Sequence, residues 1–555
     1  MTTPRPFPFA PTRRSFVGLS AAAFATVALS SCGSGAEEEV DLGSQNVGAM
    51  EGYAADTQFT ASEPFTVSML WTDWPEVPVE DSWRIFEHIK ELTNVEITLT
   101  HIPFSDATEK RSLLISAGDA PTLVPLVYTG EDSPFVSSGA VVPLSDYADQ
   151  MPNFQKYVEE WDLGEMINNL KQADGKYYMM PGLQEVSVPV FSLVVRKDVF
   201  EELTGAVPNT WEELHEGLKL IKEKYPDAVP LADGFEAQSM LNYAAHAFGT
   251  KAGWGFGDGA IDDGGELVYA PSMEGYKQMV ELFRDLVADG LLDQESLTAS
   301  NDGSGAASVG EKFAAETCFA ASGSSGTAIE FAQALDETVG EGNYAVTLIP
   351  PPAGPAGDKV EPRNFWHGFM LNSQVTQSEN FLATLQFVDW LYFNPEAREM
   401  LRWGEKDVNY TKSGDTIELK DDFSLDDYAI NPDGETDIKV DLGYSTFPAE
   451  STESRALKES YSTPEFVEYI DDVLSTRTPR DPFPPTPMDE TELEQASLLA
   501  TPIKDSVDTA TLQFIMGERD MSEWDTFLGE LEAAGLPRYL ELLNTARQRF
   551  DEANG

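Results

Sequence analysis

Cysteine is almost missing from this sequence, which holds Cys32 and Cys318 in 555 residues. Past Cys32 a single thiol remains, so the body has no internal disulfide and must rely on a large apolar core. Histidine is scarce as well: His88, His101, His215, His246 and His367 show no H-x-x-x-H or H-E-x-x-H spacing. No zinc site, other metal or cofactor is therefore expected. Basic residues are few, 36 Lys and Arg against 95 Asp and Glu, for a net charge of −59. Such a field repels polyanions and argues against nucleic acid or an anionic membrane as partner. The acidity could serve a cationic ligand, but the acids are spread over the whole chain, which favours a solvated surface suited to salty or alkaline surroundings. Beyond the N-terminal region no apolar run approaches the ~20 residues of a membrane span.

What is present begins with an address. Thr12-Arg13-Arg14-Ser15-Phe16-Val17 reads as a twin-arginine export motif, followed by an Ala-rich apolar run to Leu29. The run ends in Leu29-Ser30-Ser31-Cys32, which resembles the bacterial lipobox. The expectation is a signal peptide over 1–31 and a lipid-bearing (palmitate-type) Cys32 as the mature N-terminus. That anchor would hold the protein at the outer face of the cytoplasmic membrane. Residues 32–62 are small, polar and acidic, a composition expected of a flexible tether.

The body reads as α/β. Residues 65–70 alternate as a strand, Asp81 is placed to cap a helix carrying Trp83, Phe86, Ile89 and Leu92, and 95–99 alternate again. Strand, helix, strand at this spacing predicts a parallel pair in an open sheet, with ligands beyond the strand ends. A helix over 107–116 and a strand over 122–127 extend the sheet. A turn at Asp174-Gly175 leads to a short aromatic strand ending at Pro181-Gly182, then to an apolar strand over 190–195. Thr210-Trp211-Glu212-Glu213 is a capping box opening a second α/β set. Amphipathic stripes follow at 211–225 and 276–287, the latter stopped by Asp289-Gly290. Residues 303–308 read as a loop, 312–319 and 344–349 as strands, and 368–371 as a return strand. Residues 411–450 form an acidic, turn-rich elaboration, 479–487 are proline-dense, and two closing helices cover the end.

Several short motifs recur in one order. They are Ser116-Ala117-Gly118-Asp119-Ala120-Pro121, Asp174-Gly175-Lys176-Tyr177-Tyr178 with Pro181, Val195-Arg196-Lys197-Asp198 and Pro208-Asn209-Thr210-Trp211-Glu212-Glu213-Leu214. Asp289-Gly290-Leu291-Leu292-Asp293, Gly404-Glu405 with Tyr410, and Phe514-Ile515-Met516-Gly517 continue the series. The collinear set resembles the substrate-binding lipoproteins of ABC importers, in the large oligosaccharide-binding branch of the family 1 extracellular solute-binding proteins. The resemblance implies a type II periplasmic-binding-protein-like fold. Two lobes, each an open mostly parallel sheet flanked by helices, would close on a saccharide and deliver it to a permease without catalysis. It suggests lobe I over 63–190 and about 368–450, lobe II over 191–367 and about 451–555, and a monomer. Some relatives carry a calcium loop after the P-x-T-W-x-E box. Here that place reads Lys224-Tyr225-Pro226-Asp227-Ala228-Val229-Pro230, without the ligand ladder, so no calcium is expected there.

A sugar presents an apolar ring face and a rim of hydroxyls, which aromatic and polar side chains cover respectively. Residues placed at strand ends are the candidates: Trp71, Trp74, Trp254, Trp366 and Trp403, with Tyr128 and Tyr178, as aromatic platforms. Asp73, Glu405, Arg363, Asn364 and His367 are the polar candidates. Ser324 joins them, since its small-residue helix start either binds hydroxyls through backbone N–H groups or allows close packing. Trp366, ahead of the return strand, is the foremost. Trp83, Trp211, Trp390 and Trp524 sit on helical stripes and belong to the core. Cys318, in an apolar run, is expected to be buried and inert. Two other functions stay open on the residues alone: a surface polysaccharide-degrading enzyme, since so many acids allow chance carboxylate pairs, and a binding lipoprotein for another solute such as a peptide.

Overall fold

The computed structural model describes residues 40–75, 77–298, 304–414, 416–483 and 485–554. The expected export motif at Arg13 and Arg14 and the lipidation site at Cys32 lie outside the described residues. From Leu42 onward the chain forms one compact unit.

The frame is set by strands β1 (Phe65–Asp73), β2 (Val95–Pro103), β3 (Leu123–Val127), β4 (Met180–Leu183), β5 (Ser192–Arg196) and β6 (Leu231–Ala232). A hairpin follows, β7 (Ala260–Asp263) and β8 (Glu266–Tyr269), then β9 (Ala320–Gly323), β10 (Val346–Ile349), β11 (Lys359–Val360) and β12 (Phe365–Leu371). The first sheet has the order β2-β1-β3-β12-β4 and the second β10-β5-β9-β6. The expected parallel pair is there: β1 runs parallel to β2, with Phe65 opposite Val95, and to β3. Between β1 and β2 the helix Arg84–Thr93 covers the sheet and ends on Asn94 at φ 58°, whose amide donates to the Lys90 carbonyl. Asp81 does not cap it. The N-cap is Trp83, which makes no side-chain cap bond and is buried.

Both sheets are mixed. In each, one central strand runs antiparallel to its neighbours: β12 against β3 and β4 in the first, β5 against β9 and β10 in the second. Each is the strand by which the chain arrives from the other sheet, and arriving from outside reverses its direction. The chain crosses at 184–191, between β4 and β5, and at 350–364, between β10 and β12. It crosses again after Glu453, whose amide donates to the Leu183 carbonyl, before the helix Pro464–Thr476 packs Tyr469, Ile470 and Val473 under Val194, Ala321 and Leu348.

Several elements differ from the sequence reading. The expected strand over 312–319 and the loop before it are the helix Ser304–Ala314, and the strand starts only at Ala320. Val309 and Phe313, four residues apart, share its buried face. The aromatic strand placed before Pro181 is not formed: Tyr177 and Tyr178 lie in irregular chain, and the strand there, β4, begins at Met180 and runs through Pro181. The strand placed at 190–195 begins at Ser192, and the return strand begins at Phe365 rather than Gly368. The Thr210 box is half built. Thr210 Oγ1 accepts from the Glu213 amide at 3.1 Å, but the Glu213 carboxylate takes the amide of Asn209, one residue earlier. Residues 42–62, expected as tether, are docked: the Met50 amide donates to Gln386 Oε1, Tyr53 donates to Asp389 Oδ2 at 2.8 Å, and Phe59 is wholly buried.

The second lobe's core joins Trp211, Tyr243 and Phe283 to the closing helices Glu490–Ile515, Trp524–Ala533 and Leu536–Asn554. There Phe514 meets Trp524 with ring centroids 5.0 Å apart. Burying each such ring contributes roughly 1.5–3 kcal/mol, which replaces the missing disulfides.

Candidate functional site

Two connected hollows open between the sheets. The larger, about 1040 Å3, is walled on one side by the first sheet: Trp71 and Thr72 at the end of β1, Leu126 on β3 and His367 on β12. The opposite wall is the helix Ser325–Thr338, which turns Gly326, Ile329, Glu330 and Gln333 inward on one face. Ser324 caps it: its hydroxyl accepts from the Thr327 amide while Thr327 Oγ1 accepts from the Ser324 amide at 3.2 Å. The third wall comes from residues 426–450, including Tyr428, Lys439, Phe447 and Glu450. The acidic elaboration is therefore part of the site. Its acids fold it locally, as where Asp437 Oδ1 accepts from the amides of Lys439 and Val440.

A smaller chamber of about 240 Å3 shares Val190, Ser325, His367, Tyr428 and Glu450 with the first. Its walls include Arg363 from the second crossing, Trp366 on β12, and Arg402, Glu453, Lys458 and Tyr461 behind them. The guanidinium of Arg363 lies over the Trp366 ring, 4.4 Å from its centroid. Tyr128 stands edge-on to Trp366 and His367, at 5.8 and 5.9 Å. Arg402, on the buried face of the helix Pro395–Trp403, donates to Ser445 Oγ at 2.8 Å and to Glu453 Oε1 at 3.2 Å, and lies over the Tyr461 ring. Tyr461 also donates to Glu453, and Lys458 donates to Gln184 Oε1 at 2.8 Å.

Electrostatics follow the burial. Burial pushes the His367 imidazole down to about 4, so it is neutral at physiological pH. Burial works against the Glu453 charge, yet Lys458 and Arg402 hold its carboxyl below the ordinary range. Glu450, half-buried and 3.5 Å from Arg402 without a hydrogen bond to it, is pushed up by the loss of solvation. His367 Nδ1, Arg363 Nε, Arg402 Nε, Glu450 Oε2 and Ser451 Oγ have no hydrogen-bond partner within the protein. Buried polar atoms left unmatched cost about 1–3 kcal/mol each. Donors and acceptors unmet at one chamber, beside an aromatic face, suit a ligand rich in hydroxyl groups.

The sequence candidates divide accordingly. Trp71, Trp74, Ser324 and His367 meet at the larger cavity, and Arg363, Trp366 and His367 at the smaller, with Tyr128 against them. Trp71 is 2 % exposed and set edge-on among Trp83, Phe86 and Phe447, so it is wall rather than platform. Trp74 is open, 41 % exposed and stacked on Phe104 at 4.0 Å. Tyr178 is instead core, its hydroxyl donating to Asp174 Oδ2 at 2.6 Å. Trp403 is core too, bonded to Ser460. Glu405 is taken by Arg84 at 2.7 Å, and Asp73 turns to His101 at 3.2 Å. Trp254 packs beside the cleft against Phe191 and Phe235 without lining either hollow. Asn364 ties the crossings together, its carbonyl accepting from the Gln184 amide.

A family profile described as bacterial extracellular solute-binding protein matches residues 84–413. That is more than half of the chain. The chain belongs to this family. Among individual proteins it is similar to the fructooligosaccharide ABC transporter substrate-binding protein FusA of Streptococcus pneumoniae, 22 % identical over 90 % of this chain and 93 % of that protein. The structure of FusA with kestose superposes with a TM-score of 0.63 at 19 % identity, over 88 % of this chain and all of that one. The alginate-binding protein AlgQ2, in its structure without calcium ion, gives a TM-score of 0.68 at 19 % identity, over 88 % and 99 % of the two chains. Lipoprotein LipO of Bacillus subtilis is 21 % identical over 62 % of this chain and 66 % of its own length. The two-lobe binding-protein architecture expected from the sequence is thus the fold, and these relatives are named as binding or lipoproteins rather than enzymes.

Proposed function

We propose that this protein is the extracytoplasmic substrate-binding component of an ABC importer, taking an oligosaccharide between its lobes and handing it to the permease. The observation that carries the reading is the chamber where Trp366, stacked under Arg363, adjoins unpartnered polar atoms of His367, Arg402, Glu450 and Ser451. An aromatic face beside such a polar rim matches the two surfaces of a pyranose or furanose ring. The names of FusA and AlgQ2 support a saccharide over a peptide. Lobe I is read as 63–190 with about 365–450, and lobe II as 191–364 with about 451–555. Ligand contacts from both would favour the closed arrangement. The proposal includes export through Arg13-Arg14, a lipid on Cys32, a place on the outer face of the cytoplasmic membrane, and a monomer.

Calorimetric titration of the purified protein against a panel of mono- and oligosaccharides and peptides tests it. Saturable binding of an oligosaccharide without turnover, weakened by about tenfold or more in Trp366→Ala, is expected. Catalytic cleavage of the glycan would refute the reading, as would peptide binding with no saccharide bound.

A further inference from the structure

Beside the cleft, β3 is irregular. β12 sets Phe369 opposite Pro125 and Gly368 opposite Val127, passing over Leu126. Leu126 is therefore an inserted residue, a β-bulge, and it stands at φ 57°, a left-handed backbone that Leu seldom adopts. Pro125, which has no N–H to give to a ladder, precedes it. In an unbroken ladder Leu126 would take Gly368, and Tyr128 would fall opposite Trp366. A slip of one residue turns each side chain to the other face of the sheet. The bulge thus decides how the chain beyond it meets β12, where the Tyr128 ring stands against both Trp366 and His367. Leu126 itself lines the larger cavity. Backbone strain of this kind persists only where its surroundings enforce it. Here a buried guanidinium does so. Arg111, on the helix Ala107–Ala117, takes a core-facing position one turn before Ile115 and is 6 % exposed. Its Nη1 donates to the Leu126 carbonyl and its Nη2 to Glu131 Oε2 at 2.6 Å. The same carboxylate oxygen accepts from the Tyr128 amide at 2.8 Å. The fork holds the carbonyl before Val127 directly and the amide after it through Glu131. Arg111 stands outside the walls of both hollows.

Resting on the reading of a saccharide site, we propose that Arg111 is a positioning residue for it. Its guanidinium, shared between Leu126 and Glu131, holds the bulge in β3 and so sets Leu126 and Tyr128 against the ligand. A planar fork reaches two acceptors at fixed angles, whereas a lysine ammonium is a point charge that serves one of them well. Support of the fold alone would appear in stability. Positioning appears in affinity, and that affinity depends on the backbone at residue 126.

The test is calorimetric titration of the purified protein with oligomers of glucose, fructose and galacturonate. The tightest binder is then titrated into variants, with thermal unfolding of each alongside. Arg111→Lys should fold and bind about fivefold or more weakly than the wild type. In a Leu126→Gly background, where a left-handed φ carries no steric cost, the same change should weaken binding by about twofold or less. Equal loss in both backgrounds makes Arg111 a general support of the fold and overturns the proposal, as does wild-type affinity in Arg111→Lys. Leu126→Gly should also bind more tightly than Leu126→Val, which keeps most of the apolar side chain but resists a positive φ. The reverse order overturns the proposal whether or not Arg111→Lys folds. Each of these outcomes leaves a saccharide site standing. Binding of no saccharide by the folded wild type overturns both.

Discussion

His367 sits where both hollows meet, neutral because burial holds its pKa near about 4. That lies below the ~6.5 of an exposed imidazole, so the unfolded chain takes the proton first. Its contribution is therefore complete above pH ~6.5 and is lost as pH falls toward about 4. His367→Gln should lose less stability than the wild type between pH ~7.5 and ~4.5, by roughly 2–3 kcal/mol, as read from denaturant midpoints. Cys318 gives the opposite case: burial pushes its thiol up to about 12. Native protein should leave Cys318 unlabelled by iodoacetamide in peptide mapping, with full labelling once unfolded; rapid native labelling would contradict its burial. Trp366 and His367 are legible because the sequence marks a return strand beside them, and they lie at the start of that strand, β12, where the chain re-enters the first sheet. Arg402, Glu450, Glu453 and Tyr461 are not. They matter through contacts such as Arg402 with Glu453, 51 residues apart in sequence, which no local pattern signals.

Among the elements, β12 bears the tightest constraint. A Cβ on Gly368 would stand 1.7 Å from the Met180 carbonyl oxygen on the neighbouring β4, and the pairing with β3 shifts register at that residue. Gly368→Ala should cost more than ~3 kcal/mol and disturb the adjoining His367, lowering both midpoint and ligand affinity. Thr210→Ala should cost only about 1 kcal/mol, since it removes one capping bond from Trp211–Lys224. Thermal unfolding of the two variants side by side checks the order. The long amphipathic helices were readable from their stripes. The helix Ser304–Ala314 was not, because a short apolar stretch suits strand and helix alike. Strand β6, two residues long, left no periodicity to read.

At the scale of the whole molecule, a charge of −59 makes self-repulsion a term in stability. The unfolding temperature should rise with added sodium chloride through the screening range and then level off; a fall would contradict this account. The mixed topology explains why two lobes were foreseeable while their boundaries were not: β5 and β12 each close one sheet with chain arriving from the other. Composition alone gives the acidic, turn-rich stretch 411–450 no role, yet residues 426–450 form a wall of the cleft. Its role depends on what it faces across that cleft, the helix Ser325–Thr338. The most direct measurement is a crystal structure of the protein with a bound oligosaccharide. The account predicts one sugar ring against Trp366, hydrogen-bonded to His367 and Glu450, with the rest of the chain between that helix and residues 426–450. A saccharide seated elsewhere, for example in the groove between Leu267 and Leu540, would contradict it.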